Sequence, residues 1–274
     1  MSSPEKYDIR ALDVDAGPVL STCKERAFCE SCGKSVRFFC YYCFKPVAEL
    51  EGRLPQIRLP FKLDVVKHAK ELDGKSTAVH AKIVAPQDVE IITFSETCLD
   101  SVDVQRTALL FPGPDAQDVA DMDMGGIERV VVIDGTWRQA KTMLRDCRQL
   151  QHMQKVTIKP RRTRFWRFQN MDDQYLATIE AIYFLYRDSM GSRYSGEYDA
   201  LMYFYKYFYE LIQGEYAARP ERHYNRRHQA NYIDYETASP NPNPRPARPD
   251  TVAKVNYDFD DLELGGMFGG EDPE

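Results

Sequence analysis

Sixteen residues near the N-terminus, Phe28 to Cys43 (FCESCGKSVRFFCYYC), carry the most specific chemical signal in the chain. Cys29 and Cys32 form one C-x2-C pair and Cys40 and Cys43 a second, with seven residues between the pairs. Two such knuckles offer four thiolates to one tetrahedral zinc ion. Gly33 follows the first pair, where a knuckle turn favours a residue without Cβ. Four reduced thiols without metal are the plain alternative. A redox role needs only one pair, so the doubled spacing favours structural Zn2+, about one ion per chain. Cys23 breaks the pairing, and Cys98 and Cys147 read as small core residues.

A second constellation follows the apolar run Arg129–Ile133 (RVVVI): Asp134, Gly135, Thr136 and Trp137. A run of this kind reads as a strand buried on both faces. The residues after it form a turn at a strand's carboxyl end, where open α/β sheets place ligands. Gly135 permits an unusual backbone and Thr136 can cap a following helix. Asp134 could bind a cation, close the turn or accept a proton. Trp137 offers a flat face to a ligand or closes the core. A tight turn and nothing more would also account for all four. Downstream, Arg138 to Arg167 holds ten Lys or Arg against Asp146 alone. Such a run is either a solvated helix face or a surface for a polyanion.

These residues need a scaffold, and 274 residues with 43% hydrophobic content are enough for a sizeable core. The net charge of −6 conceals the basic middle and an acidic end, with eight acids against Lys254 over 250–274. No stretch approaches eighteen uncharged apolar residues, so no membrane span is expected. The first residues lack a basic start and apolar core, so no signal peptide is expected either. Four regions emerge: a flexible N-terminus over 1–22, a four-cysteine zinc-binding segment over 23–46, a domain of alternating strand-like and helix-like segments over 47–230, and a disordered acidic tail over 231–274 that contains TASPNPNPRPARP. Within the third, Val89–Phe94, Thr107–Phe111, Arg129–Ile133 and Lys155–Ile158 read as strands. One helix carries Ala140, Met143, Leu144 and Cys147 at helical spacing. Another begins near Tyr175 with Leu176, Ile179, Ile182 and Tyr183. A third bears the stripe Tyr198, Leu201, Met202, Tyr205, Tyr209 and Ile212, most simply core packing.

Some apparent motifs fail. Asp73-Gly74-Lys75-Ser76-Thr77 looks like the end of a P-loop, but alanine stands at 69 where glycine is needed and no convincing strand leads in, so ATP binding is rejected. No dinucleotide fingerprint or nucleophile elbow occurs. His68 and Glu71 read as a solvated pair.

The DGTW turn, with its lead-in VVVI and follow-on RQAKTM, resembles the signature of the DTW-domain family. Leu110-Phe111-Pro112-Gly113, Tyr175-Leu176-Ala177-Thr178-Ile179-Glu180-Ala181, the segment KHAKELDGKSTAVHAK and the cysteine knuckles resemble it too, over roughly residues 23–215. Ala177 stands where the family commonly has serine, so a hydroxyl role there does not carry over. The resemblance implies an α/β, SPOUT-like knotted fold: a mainly parallel sheet flanked by helices, with a small N-terminal zinc knuckle and a trefoil knot around S-adenosyl-L-methionine. It implies transfer of that co-substrate's 3-amino-3-carboxypropyl group to N3 of a tRNA uridine in the D-loop, at position 20, with release of 5′-methylthioadenosine. On this basis Asp134 is the candidate general base or cofactor-orienting carboxylate. Pro112, Gly113, Gly135, Thr136, Trp137, Thr178 and Glu180 are candidates for holding the cofactor. Arg138, Lys141, Arg145, Arg161, Arg162, Arg164 and Trp166 are candidates for holding tRNA, through phosphates and a stacked base. An RNA methyltransferase and a non-catalytic zinc-containing RNA-binding adaptor are the competing readings. No stable protein partner is expected, and the resemblance favours the nucleus over the cytoplasm.

Overall fold

The computed structural model of the chain describes residues 6–71, 73–166, 175–219 and 232–234. Two short strands, β1 (Ala27–Phe28) and β2 (Ser35–Val36), form an antiparallel hairpin within the cysteine segment. The remaining strands are β3 (Lys62–Lys67), β4 (Val89–Thr93), β5 (Thr107–Leu110), β6 (Gln117–Asp118), β7 (Arg129–Asp134) and β8 (Gln154–Thr157). They form one sheet in the order β4-β3-β7-β5-β8-β6 with every pairing parallel. The α-helices are α1 (Gly17–Leu20), α2 (Ala78–Val84), α3 (Trp137–Asp146), α4 (Arg148–His152), α5 (Thr178–Met190) and α6 (Tyr203–Ala218).

Strand periodicity sorts the core into two layers. In β7, Val130 and Val132 join the large cluster that includes α2, α5 and α6, whereas Val131 joins a smaller cluster with Ala140, Met143, Cys147 and Leu150 of the α3–α4 side. Leu63 and Val65 of β3 face the first layer and Val66 the second. A sheet covered on both faces is what parallel strands require. The strand β3 lies beside β7 at the centre, yet its sequence KLDVVK does not read as apolar. Asp64 interrupts the run, and it is accommodated by an ion pair with Arg129 on the neighbouring strand. Burial raises the Asp64 pKa, and Arg129 opposes that rise.

Three expectations need correction. Residues 6–22 are not a loose arm: Tyr7, Ile9, Leu12, Ala16 and Leu20 are buried in the main core. Lys206 of α6 donates to the carbonyls of Arg10 and Leu12. The beginning of the tail also packs, since Gln213 bonds both Tyr232 and Asp234, and Asp234 pairs with Arg10. Residues 235–274 and Arg167 lie outside the described residues. A strand, β3, does lead toward Asp73–Thr77, although the glycine that a P-loop needs is still absent at 69. The stripe from Tyr198 to Ile212 is core, divided between a short 3-10 turn (Asp199–Met202) and α6.

Candidate active site

The parallel register brings three strand ends to one edge. Lys67 at the end of β3 is paired with Asp134 at the end of β7. Beside them, β5 leads into Phe111, with Pro112 and Gly113 exposed just beyond. The main chain at Asp134 accepts a bond from the His68 N–H at 2.9 Å, locking the two loops together.

The Asp134 side chain is 4% exposed. Its Oδ2 accepts from Ser76 Oγ at 2.6 Å and its Oδ1 from Thr178 Oγ1 at 2.5 Å. Thus the turn before α2, the end of β7 and the start of α5 meet on one carboxylate. Desolvation raises its pKa above the ordinary carboxylate value, while the two hydroxyls and the nearby Lys67 ammonium pull the other way. Lys67 itself is paired with Asp73. Of the two hydroxyl residues, Ser76 is buried and Thr178 half-buried, so Thr178 is the outward member.

The turn after Asp134 is tightly built. A Cβ on Gly135 would come within 3.0 Å of Gln139 Oε1 and 3.3 Å of His68 Cβ. Thr136 caps α3 reciprocally: the Gln139 N–H donates to Thr136 Oγ1, and Gln139 Oε1 accepts from the Thr136 N–H. Trp137 is half-buried, with Phe111 at 5.8 Å and Tyr175 at 5.4 Å between ring centroids. Its face is therefore shared between core packing and the edge where Asp134 lies.

The start of α5 is capped from elsewhere in the chain. Ala177 occupies the N-cap position and has no side-chain acceptor. The Ile179 N–H donates instead to Thr77 Oγ1 at 3.0 Å. Sequence reading assigned Ser76 and Thr77 no role, since their residues were rejected as a nucleotide loop and the family likeness of the segment was not carried to single side chains. The likeness of KHAKELDGKSTAVHAK to the family was the available pointer.

Glu180 is corrected from cofactor binder to internal fastener. It is 0% exposed and accepts from Tyr7 Oη, Thr163 Oγ1 and the backbone N–H groups of Arg164 and Ala177, at 2.5 to 2.8 Å. Burial raises its pKa, and these donors moderate the rise. Arg161 is corrected likewise: it is 5% exposed and bidentate to buried Asp188, with both bonds at 2.8 Å. Trp166 is a core residue, 4% exposed, against Tyr205 at 5.0 Å and Phe208 at 5.8 Å. Neither can offer its charge or ring to RNA from that position. Arg164 is half-buried and donates to the Tyr7 carbonyl; Arg162 is half-buried. Arg138, Lys141 and Arg145 are exposed on α3, immediately after the DGTW turn, with Arg145 paired to Asp146.

The second candidate site is the cysteine segment. The sulfur atoms of Cys29, Cys32, Cys40 and Cys43 all lie within 4.8 Å of one another. A tetrahedral ion with Zn–S bonds of about 2.3 Å needs sulfurs about 3.8 Å apart, so the four fit. The two knuckles share one backbone plan. Cys29 N–H donates to the Lys34 carbonyl, and Gly33 N–H returns to that of Cys29; Cys40 with Lys45, and Phe44 with Cys40, repeat this. Gly33 and Phe44 occupy equivalent positions, with φ of 71° and 55°.

Residues 37–213 match the DTW domain. Among similar proteins, the tRNA-uridine aminocarboxypropyltransferase 1 of Xenopus tropicalis is 33% identical over 238 residues, covering 69% of this chain and 80% of its own. The protein of the same name from Rattus norvegicus is 34% identical, and that from Homo sapiens 33%, each covering 69% of this chain and 77% of its own. No solved structure matches the chain.

Proposed function

The chain belongs to the DTW-domain family, and from that premise we propose that it is a tRNA-uridine aminocarboxypropyltransferase. Its reaction joins the 3-amino-3-carboxypropyl group of S-adenosyl-L-methionine to N3 of a D-loop uridine, at position 20. The observation that carries the site assignment is Asp134, buried at the sheet's carboxyl edge and held by hydroxyls from two other segments. The donor set fits the co-substrate: the charge of Asp134 would offset its positive charge, hydroxyls would meet its polar end, and the half-buried ring of Trp137 would take an apolar or aromatic portion. S-adenosyl-L-methionine supplies a methylene carbon activated by the adjacent sulfonium.

What the chain must add is positioning and removal of the N3 proton. Both oxygens of Asp134 are engaged, so direct access of the uridine N3–H to this carboxylate is restricted. The outward hydroxyl of Thr178 solves this. Thr178 Oγ1 takes the N3 proton as its own proton passes along the 2.5 Å bond to Asp134 Oδ1. The raised carboxylate pKa suits that role, and Ser76 fixes the other oxygen. Arg138, Lys141 and Arg145 hold phosphates beside the turn. Cys29, Cys32, Cys40 and Cys43 hold one structural zinc. The all-parallel sheet, with β7 inserted between β3 and β5, supports the SPOUT-like knotted assignment that the family implies.

The deciding experiment incubates the protein with unmodified tRNA and S-adenosyl-L-methionine and follows products by mass spectrometry. Aminocarboxypropyl-uridine with methylthioadenosine is the expected result. Methylated nucleoside with S-adenosylhomocysteine would replace the reading by a methyltransferase, and tRNA binding without product by an adaptor.

A further inference from the structure

Among the described residues, the large hydrophobic side chains that stand exposed are Phe28, at 76%, and Tyr42, at 48%. Both belong to the cysteine segment. Of its other aromatics, Phe38 packs on Tyr207 and Phe208 and Phe39 on Phe204 and His80, while Tyr41 and Phe44 are half-buried against the same core. Four aromatics of the segment thus pack on the core while Phe28 and Tyr42 face solvent.

The backbone that carries the outward rings is held in place. Phe28 pairs with Ser35 across the β1–β2 hairpin and directly precedes Cys29. Tyr42 lies between Cys40 and Cys43. The backbone bond from Cys29 N–H to the Lys34 carbonyl brings Lys34 beside the Phe28 strand, and the Lys34 ammonium lies 3.4 Å from the Tyr42 ring centroid. Arg26 bonds Ser35 from the same hairpin, and Lys45 bonds Ser31 across the two knuckles. Residues 23–46 hold Lys24, Arg26, Lys34, Arg37 and Lys45 against Glu25 and Glu30, in a chain whose net charge is −6. Four thiolates around a zinc ion would offset part of that excess, leaving Lys34 as the cation seated on one of the two rings.

Exposed rings beside cations are the chemistry that holds unpaired nucleotides: rings stack on bases and ammonium groups meet phosphates. We infer that Phe28 and Tyr42 form a stacking platform for unpaired bases of the tRNA, separate from the Asp134 site. This rests on the tRNA reading above.

The test uses the full, metal-loaded chain. Stacking is worth about 1–3 kcal/mol per base, so combined Phe28→Ala and Tyr42→Ala should weaken the tRNA Kd at least about tenfold. Zinc content and kcat at saturating tRNA should stay at the parent's values. Phe28→Trp and Tyr42→Trp should keep affinity, and their added fluorescence should be quenched by tRNA. A double-alanine Kd within twofold of the parent's overturns the inference and leaves the rings to a protein partner. If the double variant loses its metal, the tryptophan variants decide, and unquenched emission overturns it. A parent that turns over tRNA while the variant binds normally sinks the platform alone. A parent that neither binds nor modifies tRNA sinks the proposed function, and the platform with it.

Discussion

At the residue scale, the site reduces to a carboxylate whose neighbours decide its use. Asp134→Asn keeps the shape and removes the base; single-turnover transfer should fall about 100-fold or more, with the tRNA Kd unchanged. Burial raises the Asp134 pKa, so the parent's rate should climb with pH through a point above the ordinary carboxylate range, and the asparagine variant should lack that limb. The stability sign is opposite. The folded state holds this proton more tightly than the unfolded chain, so Asp134's contribution to stability falls as pH rises through the raised value. Thr178→Val should match the asparagine variant in rate, whereas Thr178→Ser should stay near the parent, because only the hydroxyl is needed. Asp134 itself was legible from sequence, since an acid at the end of a buried strand, in a DGTW turn, stands where α/β sheets place ligands. Glu180, Arg161 and Trp166 were misread for one shared reason. Residue type announces charge or aromaticity, but not that Asp188 or Tyr205, distant in sequence, has already claimed it.

At the element scale, four of the sheet's six strands were readable to within a residue at each end, and two were not. Val89–Thr93, Thr107–Leu110, Arg129–Asp134 and Gln154–Thr157 follow hydrophobic pattern. By contrast β3 is hidden by Asp64, whose partner Arg129 sits 65 residues away, and β6 is too short to carry any period. The α5 helix was placed but begins at Thr178, after Leu176, because its first N–H groups are taken by Thr77 and Glu180. That borrowed cap makes a prediction. Thr77→Val should cost about 1 kcal/mol in urea unfolding. Adding Ala177→Ser should recover most of the loss, by returning the cap to its ordinary position. Transfer rates should follow the same order, since the cap sets where Thr178 stands.

At the scale of the whole molecule, the cysteine segment and the N-terminal arm close one core with the sheet. Metal analysis of the purified protein should find about one zinc per chain, and chelation should lower thermal stability together with activity. Tyr7→Phe leaves Glu180 one donor short in a dry site and should cost about 1–3 kcal/mol, read by urea denaturation. Neither the arm nor the start of the tail could be seen to pack from composition, which is polar and acidic there and carries no periodic pattern. The Tyr7–Glu180 bond also has a history in time. Its partners are 173 positions apart, and a ribosome adds about 5–20 residues each second, so the tyrosine emerges roughly 10–30 s before its carboxylate exists. A part of this protein that is made early is thus among the last to find its seat. During synthesis its apolar side chains wait uncovered, open to chaperones and proteases until the α5 segment has cleared the exit tunnel.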